Sequence, residues 1–491
     1  MDGKPRVACV TPARRVQGRE ITTLEGLDPQ RRDRWGSAFC SAGGSQCGFC
    51  TPGIILRLDG LDRSLEEAKV SDGAVSDGPA KAEVDQALLA HLCRCTGWQT
   101  IHEAWDHYRS AGEEHAERDL TAAGQRATIE GRSPQTVSPE VALGLGGFAA
   151  DTAPKDSLIA VSDRAGGWVV GETLTEARAE SGKVQGRRTT AGHSWPLEIP
   201  EGEWAACLRT TWTDAAYLET DASWCEPGGE PSSTVANGGA FGAKDDHESA
   251  ASIWDASILD VRVAARELAD EHDRPVLVLA SREDVAERSP KRPPVAGAMS
   301  ADGSGLLRVG VTAGLSAGEL DEIAVAVSSV APGLTVESVP IVGPPTSARL
   351  RAVGWAEAVA LQAGATGTLT PVRSPEGAVA EAVVEDGVIK VVVSCGQVLD
   401  QTVLRSYCIG AAHMAWSWLT SEAMVVDDSG VVHDLTVRSF GVLRAVDMPQ
   451  VEVEIIGGES EPVNGSDAVF AAVAAAGWLA NDCRPDWPIG I

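Results

Sequence analysis

The sequence predicts an α+β protein, with a small helical domain near the N-terminus and mixed helix and strand beyond it. Two patterns carry that prediction. From Trp35 to about Tyr108 apolar residues recur at helical spacing, and Ile101, Trp105 and Tyr108 fall on one face at i, i+4 and i+7. Further on, helical spacing at Val261, Ala264, Ala265 and Leu268 gives way to the short β-rich run RPVLVLASRED, and helix continues to alternate with strand. The chain has 491 residues, 43% of them hydrophobic, which suits a globular protein of roughly 100–200 residues per domain.

Taken in order, SLEE at Ser64 to Glu67 reads as a capping box opening a helix. The Gly, Ser and Asp content of Val70 to Ala82 reads as a surface loop. Glu113 to Arg132 is polar and mixed in charge, with no apolar period, and reads as a linker. RPVLVLASRED is a strand entered through Pro275 and left through a cap at Ser281, and GVIKVVVSC (Gly387 to Cys395) is a second strand. Ser466 to Ala480 is an alanine-rich helix, apolar on most sides and hence buried. No internal repeat of fixed period occurs. The expected boundaries divide the chain at 1–28, 29–112, 113–136, 137–225 and 226–491.

Composition narrows the function. With 41 Lys and Arg against 70 Asp and Glu the net charge is −29, a field that repels nucleic-acid backbones and anionic lipid. No apolar run has signal-peptide character or the length of a membrane span, so a cytoplasmic chain is expected. Thiols stay reduced there, and eleven cysteines, an odd number, argue for metal binding or burial over a disulfide framework.

Four of those cysteines are paired. Cys47 and Cys50 stand at C-x-x-C in GSQCGFCTPG, and Cys93 and Cys95 at C-x-C in HLCRCTGW. Two close pairs of thiolates can surround one metal centre, either an iron-sulfur cluster or zinc, and the glycines allow backbone N–H groups to face the sulfurs. Four buried structural thiols are the bland alternative. The nine histidines show no ligand spacing, and only His91 lies near the cysteines. Cys207, Cys225, Cys395, Cys408 and Cys483 are scattered and read as buried inert thiols.

These motifs carry a resemblance. GSQCGFCTPG followed by LCRCTGW is similar to the helical 2Fe-2S domain of the xanthine dehydrogenase and aldehyde oxidoreductase family, the molybdenum hydroxylases. The resemblance implies that Cys47, Cys50, Cys93 and Cys95 ligate a 2Fe-2S cluster, and that Gln46 and Cys95 lie against the pterin of a molybdenum cofactor. The connection between the pairs is longer than the family's, with Val70 to Ala82 as the insertion. The first 28 residues resemble the end of a plant-type ferredoxin domain with Cys9 at its last ligand position. Its other ligands are missing, so Cys9 alone reads as an ordinary thiol.

The larger part resembles a shortened molybdenum-cofactor-binding subunit, with residues 137–225 as a reduced hammerhead-like domain. Taken bare, NGGAFGAKDD (Asn237 to Asp246) is a simple turn that could also let a ligand approach the backbone. The resemblance makes Gly239 and Phe241 lining residues of the site near the metal. It also maps the family's substrate-pocket arginine to Arg351 in SARLRAVGWAE, otherwise a surface or ion-paired arginine. The family's catalytic glutamate has Asp467 at its place, one methylene shorter, and a helix cap or first-turn acid explains that residue equally. Several pterin-binding elements and any flavin domain are absent from the pattern.

Two functions follow as expectations. One is an iron-sulfur oxidoreductase subunit that hydroxylates an aldehyde or N-heterocycle and passes electrons through the cluster. The other is a 2Fe-2S electron-transfer or structural subunit that has lost the molybdenum cofactor. Ferredoxin-like and flavin-binding subunits, or a second copy of the chain, are the implied partners.

Overall fold

The computed structural model describes residues 1–72, 81–110, 118–163, 166–182, 190–244, 260–312 and 315–490. A helical unit comes first. Helix α1 (Pro29–Ala42) starts at Asp28, whose Oδ1 accepts the Arg31 N–H at 3.0 Å, and stops at Gly43, which adopts φ +66°. Helices α2 (Thr51–Asp72), α3 (Lys81–Leu88) and α4 (Gln99–Arg109) pack with it around Trp35, Phe39, Ile54, Ile55, Leu58, Ile101 and Trp105. Trp35 stacks flat on Tyr108, with ring centroids 3.5 Å apart. The face predicted from Ile101, Trp105 and Tyr108 is the buried face of α4.

The helix start expected at Ser64 does not occur. Helix α2 runs unbroken through it, and the Ser64 hydroxyl donates back to the Gly60 carbonyl at 2.9 Å, a bond that competes with capping. The helix also extends to Asp72, into the expected loop; residues 73–80 of that loop lie outside the described residues.

The stretch expected as a linker contains helix α5 (Leu120–Gly131), while residues 111–117 lie outside the described residues. Its inward face is Ala123, Arg126, Ala127 and Glu130. No large apolar residue marks that face, because alanine fits where helices approach closely and the charged pair is matched internally.

The rest is built on three main sheets. One orders Trp168–Gly171, Leu158–Ser162, Val276–Leu279 and Ala222–Cys225. A second orders Leu334–Pro340, Gly305–Val311, Val295–Met299, Ala206–Thr210 and Asp486–Trp487. The third orders Val372–Arg373, Val379–Glu385, Val388–Ser394 and Gln450–Ile456, and contains the expected strand after Gly387. Its central hairpin turns at Asp386 (φ +50°) and Gly387 (φ +77°), the two left-handed residues a tight hairpin needs.

Both of the first two sheets cross the boundary expected at residue 225. Ala222 pairs with Leu279 and Ala206 with Met299, so long-range strand pairing that composition does not reveal joins those segments. The predicted cap at Ser281 is present as a reciprocal capping box with Asp284.

Two helices connect the layers. The long helix Gln401–Thr420 and the alanine-rich helix Ser466–Leu479 pack together, and residues 466–478 of the latter are all buried, as its composition predicts. The long helix also receives the helical unit. Gly97 meets Ile409 so closely that a Cβ there would stand 2.7 Å from the Ile409 methyl, and Gln99 exchanges hydrogen bonds of 3.0 Å with the Val451 backbone.

Candidate iron-sulfur and cofactor site

Cys47 and Cys50 lie around the turn between α1 and α2, and Cys93 and Cys95 in the loop between α3 and α4. The fold brings all four together at the junction of the helical unit with the remainder. Cys47 and Cys95 make one pair, with sulfurs 3.7 Å apart, and belong to the large core. Cys50 and Cys93 make the other, hydrogen-bonded thiol to thiol, and pack with the helical core. Cys47, Cys93 and Cys95 are buried and Cys50 is half-buried.

In each pair one thiol is acidified by its neighbour. The Cys50 thiol holds Cys93 down to about 6, helped by the Thr96 hydroxyl 3.0 Å away and by the Thr96 and Cys95 amides. The Cys95 thiol lowers Cys47 likewise, with the Phe49 amide assisting. Thiolates favoured by aimed N–H groups are the donor set an iron-sulfur cluster uses. Among the described residues no group of three or more His, Cys, Asp or Glu is arranged to hold a single metal ion. Two sulfur pairs offer two donors to each of two irons, so the residues fit a 2Fe-2S cluster.

The other expected site residues converge on one side of the Cys47–Cys95 pair. The Gln46 amide donates to the Cys95 carbonyl at 3.1 Å and to the Ser406 hydroxyl at 3.0 Å, so both of its N–H groups are taken. Gly239, at φ +83°, lies against Cys47; a Cβ there would sit 2.8 Å from the Cys47 Cβ. Asn237, from the same turn, donates to the Gln46 carbonyl at 3.1 Å. Phe241 lies 5.0 Å beneath the Arg351 guanidinium.

Arg351 and Asp467 are paired with each other. Arg351 Nε stands 2.9 Å from Asp467 Oδ1, and its Nη2 donates to Ser466 Oγ at 3.1 Å. Arg132 reaches Asp467 Oδ2 at 2.7 Å. Asp467 is therefore a first-turn acid with both oxygens matched. The helix cap is made by other residues: Asn464 Oδ1 accepts the Asp467 N–H at 2.9 Å, and Glu130 accepts the Gly465 and Ser466 amides at 3.1 and 2.8 Å. Burial pushes the Glu130 carboxyl up, opposed by Arg126 and those amides. Reading α5 as linker missed Arg126, Glu130 and Arg132; the i,i+4 Arg–Glu pair beside Ala123 and Ala127 was the available signal.

Two spaces flank the Arg351–Asp467 pair. A cavity of about 160 Å³ is lined by Arg132, Asn464 and Asp467 on its polar side and by Leu350, Val353 and Trp355 on its apolar side. On the cluster side, about 30 Å³ remains between Phe241, Arg351, Met414, Arg94 and Glu422. That smaller space suits a water, whereas organic cofactors occupy clefts of about 300 Å³ or more. The residues expected around molybdopterin are thus gathered, yet they do not fit the cofactor while Arg351 and Asp467 remain paired.

Comparison with known proteins bears on these features. Residues 23–106 match the model of the [2Fe-2S] binding domain. Over 101 residues the chain is 39% identical to a subunit of a probable xanthine dehydrogenase of Bacillus subtilis, covering 21% of this chain and 52% of that protein. Over 104 residues it is 40% identical to the nicotine 6-hydroxylase small subunit of Paenarthrobacter nicotinovorans, covering 21% and 56%. The chain thus spans about half the length of these curated relatives. The whole fold is similar to the crystal structure of the aldehyde oxidoreductase from Desulfovibrio desulfuricans, with a TM-score of 0.67 at 12% identity, covering 98% of this chain and 91% of that one.

Residues 23–106 thus match a [2Fe-2S] binding domain, and the fold of the whole chain is similar to that of the aldehyde oxidoreductase. The matched [2Fe-2S] binding domain contains all four paired cysteines. The likeness to the aldehyde oxidoreductase extends over nearly the whole chain, in fold and at low identity. Cys9 is exposed on a single 3-10 turn. No helix among the described residues is long and apolar enough to cross a membrane.

Proposed function

We propose that the chain is an iron-sulfur oxidoreductase subunit of the molybdenum hydroxylase type, with its cluster held by Cys47, Cys50, Cys93 and Cys95. The observation that carries this is the convergence of the four thiols in two close pairs, three of the four buried. A 2Fe-2S centre supplies one-electron transfer. The chain's own part is to favour the thiolate at one cysteine of each pair: the amides of Phe49, Cys95 and Thr96 face the sulfurs of Cys47 and Cys93, and Gly239 packs directly against Cys47.

The reaction served would be oxidation of an aldehyde or N-heterocycle, with electrons passed to ferredoxin-like or flavin-binding subunits. Eleven free cysteines suit the cytoplasm, where thiols stay reduced. Asp467 as base and Arg351 at the substrate are roles that require the two side chains to separate first. That closed pair favours the second reading, a relay of electrons that works without a molybdenum cofactor of its own.

The test is metal analysis of protein purified without air. Iron with stoichiometric molybdenum supports chemistry on this chain, iron alone supports the relay, and zinc alone overturns both.

A further inference from the structure

We propose that the buried ion pair Arg94–Glu422 tunes the reduction potential of the cluster and ties its C-x-C loop to the large unit. The inference rests on the ligand assignment above. Arg94 stands between Cys93 and Cys95 and is 3% exposed. Its side chain leaves the helical unit entirely. Nε donates to the Ala215 carbonyl at 3.0 Å, while Nη1 and Nη2 grip the two Glu422 oxygens at 2.5 and 2.9 Å. Glu422, 1% exposed, follows the C-terminal end of the long helix. The same helix presses Gly410 against the Cys95 carbonyl, with no space for a side chain between them. One helix therefore fixes both the backbone of a ligand and the charge beside it.

A bidentate guanidinium–carboxylate pair is neutral as a unit and rigid in geometry. Removing one partner leaves a full charge in a dry interior, next to a centre whose own charge changes by one electron. The neighbouring charges offer no replacement partner. Asp214 is matched by Lys291 at 3.0 Å, Arg292 by Glu357 at 2.7 Å, and Arg351 by Asp467. Glu422→Gln leaves a positive charge that favours the reduced cluster and raises the potential. Arg94→Gln leaves a negative charge and lowers it. Arg94 and Glu422 act here as positioning residues with an electrostatic consequence.

A redox titration of the full chain, followed by visible absorption, tests this on wild type, the two single variants and the double variant. Each single variant is expected to shift the oxidised-to-reduced ratio about tenfold, equivalent to 59 mV for one electron, in opposite directions. The double variant should return close to wild type. Single variants that shift the same way, or not at all, while retaining wild-type iron would overturn the proposal. Should either fail to accumulate as folded protein, Arg94→Lys and Glu422→Asp keep the charges and loosen the grip. They are expected to stay within about threefold of the wild-type ratio while melting earlier, and a larger shift in that ratio would equally overturn the proposal. Wild-type protein without iron would instead remove the ligand assignment on which the inference stands.

Discussion

Asp467 is held by two guanidinium groups, one buried with it and one half in solvent. Asp467→Asn should therefore destabilise the protein by about 3 kcal/mol, since it strands the Arg351 charge in the interior. Visible cluster absorption should be unchanged. A melting temperature equal to wild type would show that Asp467 is not clamped and restore its candidacy as a free base. His413 gives a second test at this scale. Burial, reinforced by the charge of Arg94, holds its imidazole down to about 4, against about 6.5 when unfolded. The unfolded chain then binds a proton between those values that the folded chain refuses. Stability is indifferent to this residue above pH 6.5 and falls as pH drops toward 4, by about 3 kcal/mol in total. Urea midpoints at pH 7 and pH 4.5 measure the loss, and His413→Gln should reduce it. An unchanged difference in the variant would remove His413 as the cause.

At the scale of elements, the decisive contacts are made by backbone. Gly239 adopts a left-handed conformation against Cys47, so Gly239→Ala meets both strain and a clash. Lower iron content together with a loss of about 1–2 kcal/mol is expected, and full iron content would show that the turn can move aside. Helix α5 supplies Glu130, which receives two amides of the turn before the alanine-rich helix. Glu130→Ala leaves those amides and Arg126 without it, and a loss of about 3 kcal/mol in a denaturant titration is expected. Sequence reading found what periodicity or turn chemistry expresses: the buried faces of α4 and the alanine-rich helix, the strand after Gly387 and the cap at Ser281. It missed α5, whose inward face is alanines and a matched ion pair, and placed a helix start at Ser64 where α2 continues. Capping residues look alike whether or not the preceding turn is already helical.

Across the whole molecule, the helical unit and the large unit share one junction, and the proposed cluster lies at it. The cysteine pairs were legible because ligand spacing is local. Gln46, Gly239, Phe241, Arg351 and Asp467 were singled out one by one, each through the resemblance of its own segment. Their mutual pairing was not legible, because it depends on side chains more than a hundred residues apart settling their charges against one another. The same long-range pairing joins segments on either side of residue 225 in shared sheets.

The central claim is that Cys47, Cys50, Cys93 and Cys95 hold a 2Fe-2S cluster. Iron and acid-labile sulfide counted in anaerobically purified protein, wild type beside Cys93→Ser, test it most directly. About two of each per chain in wild type, and neither in the variant, is the expected result. Zinc in place of iron, or an unchanged iron and sulfide count in the variant, would contradict it.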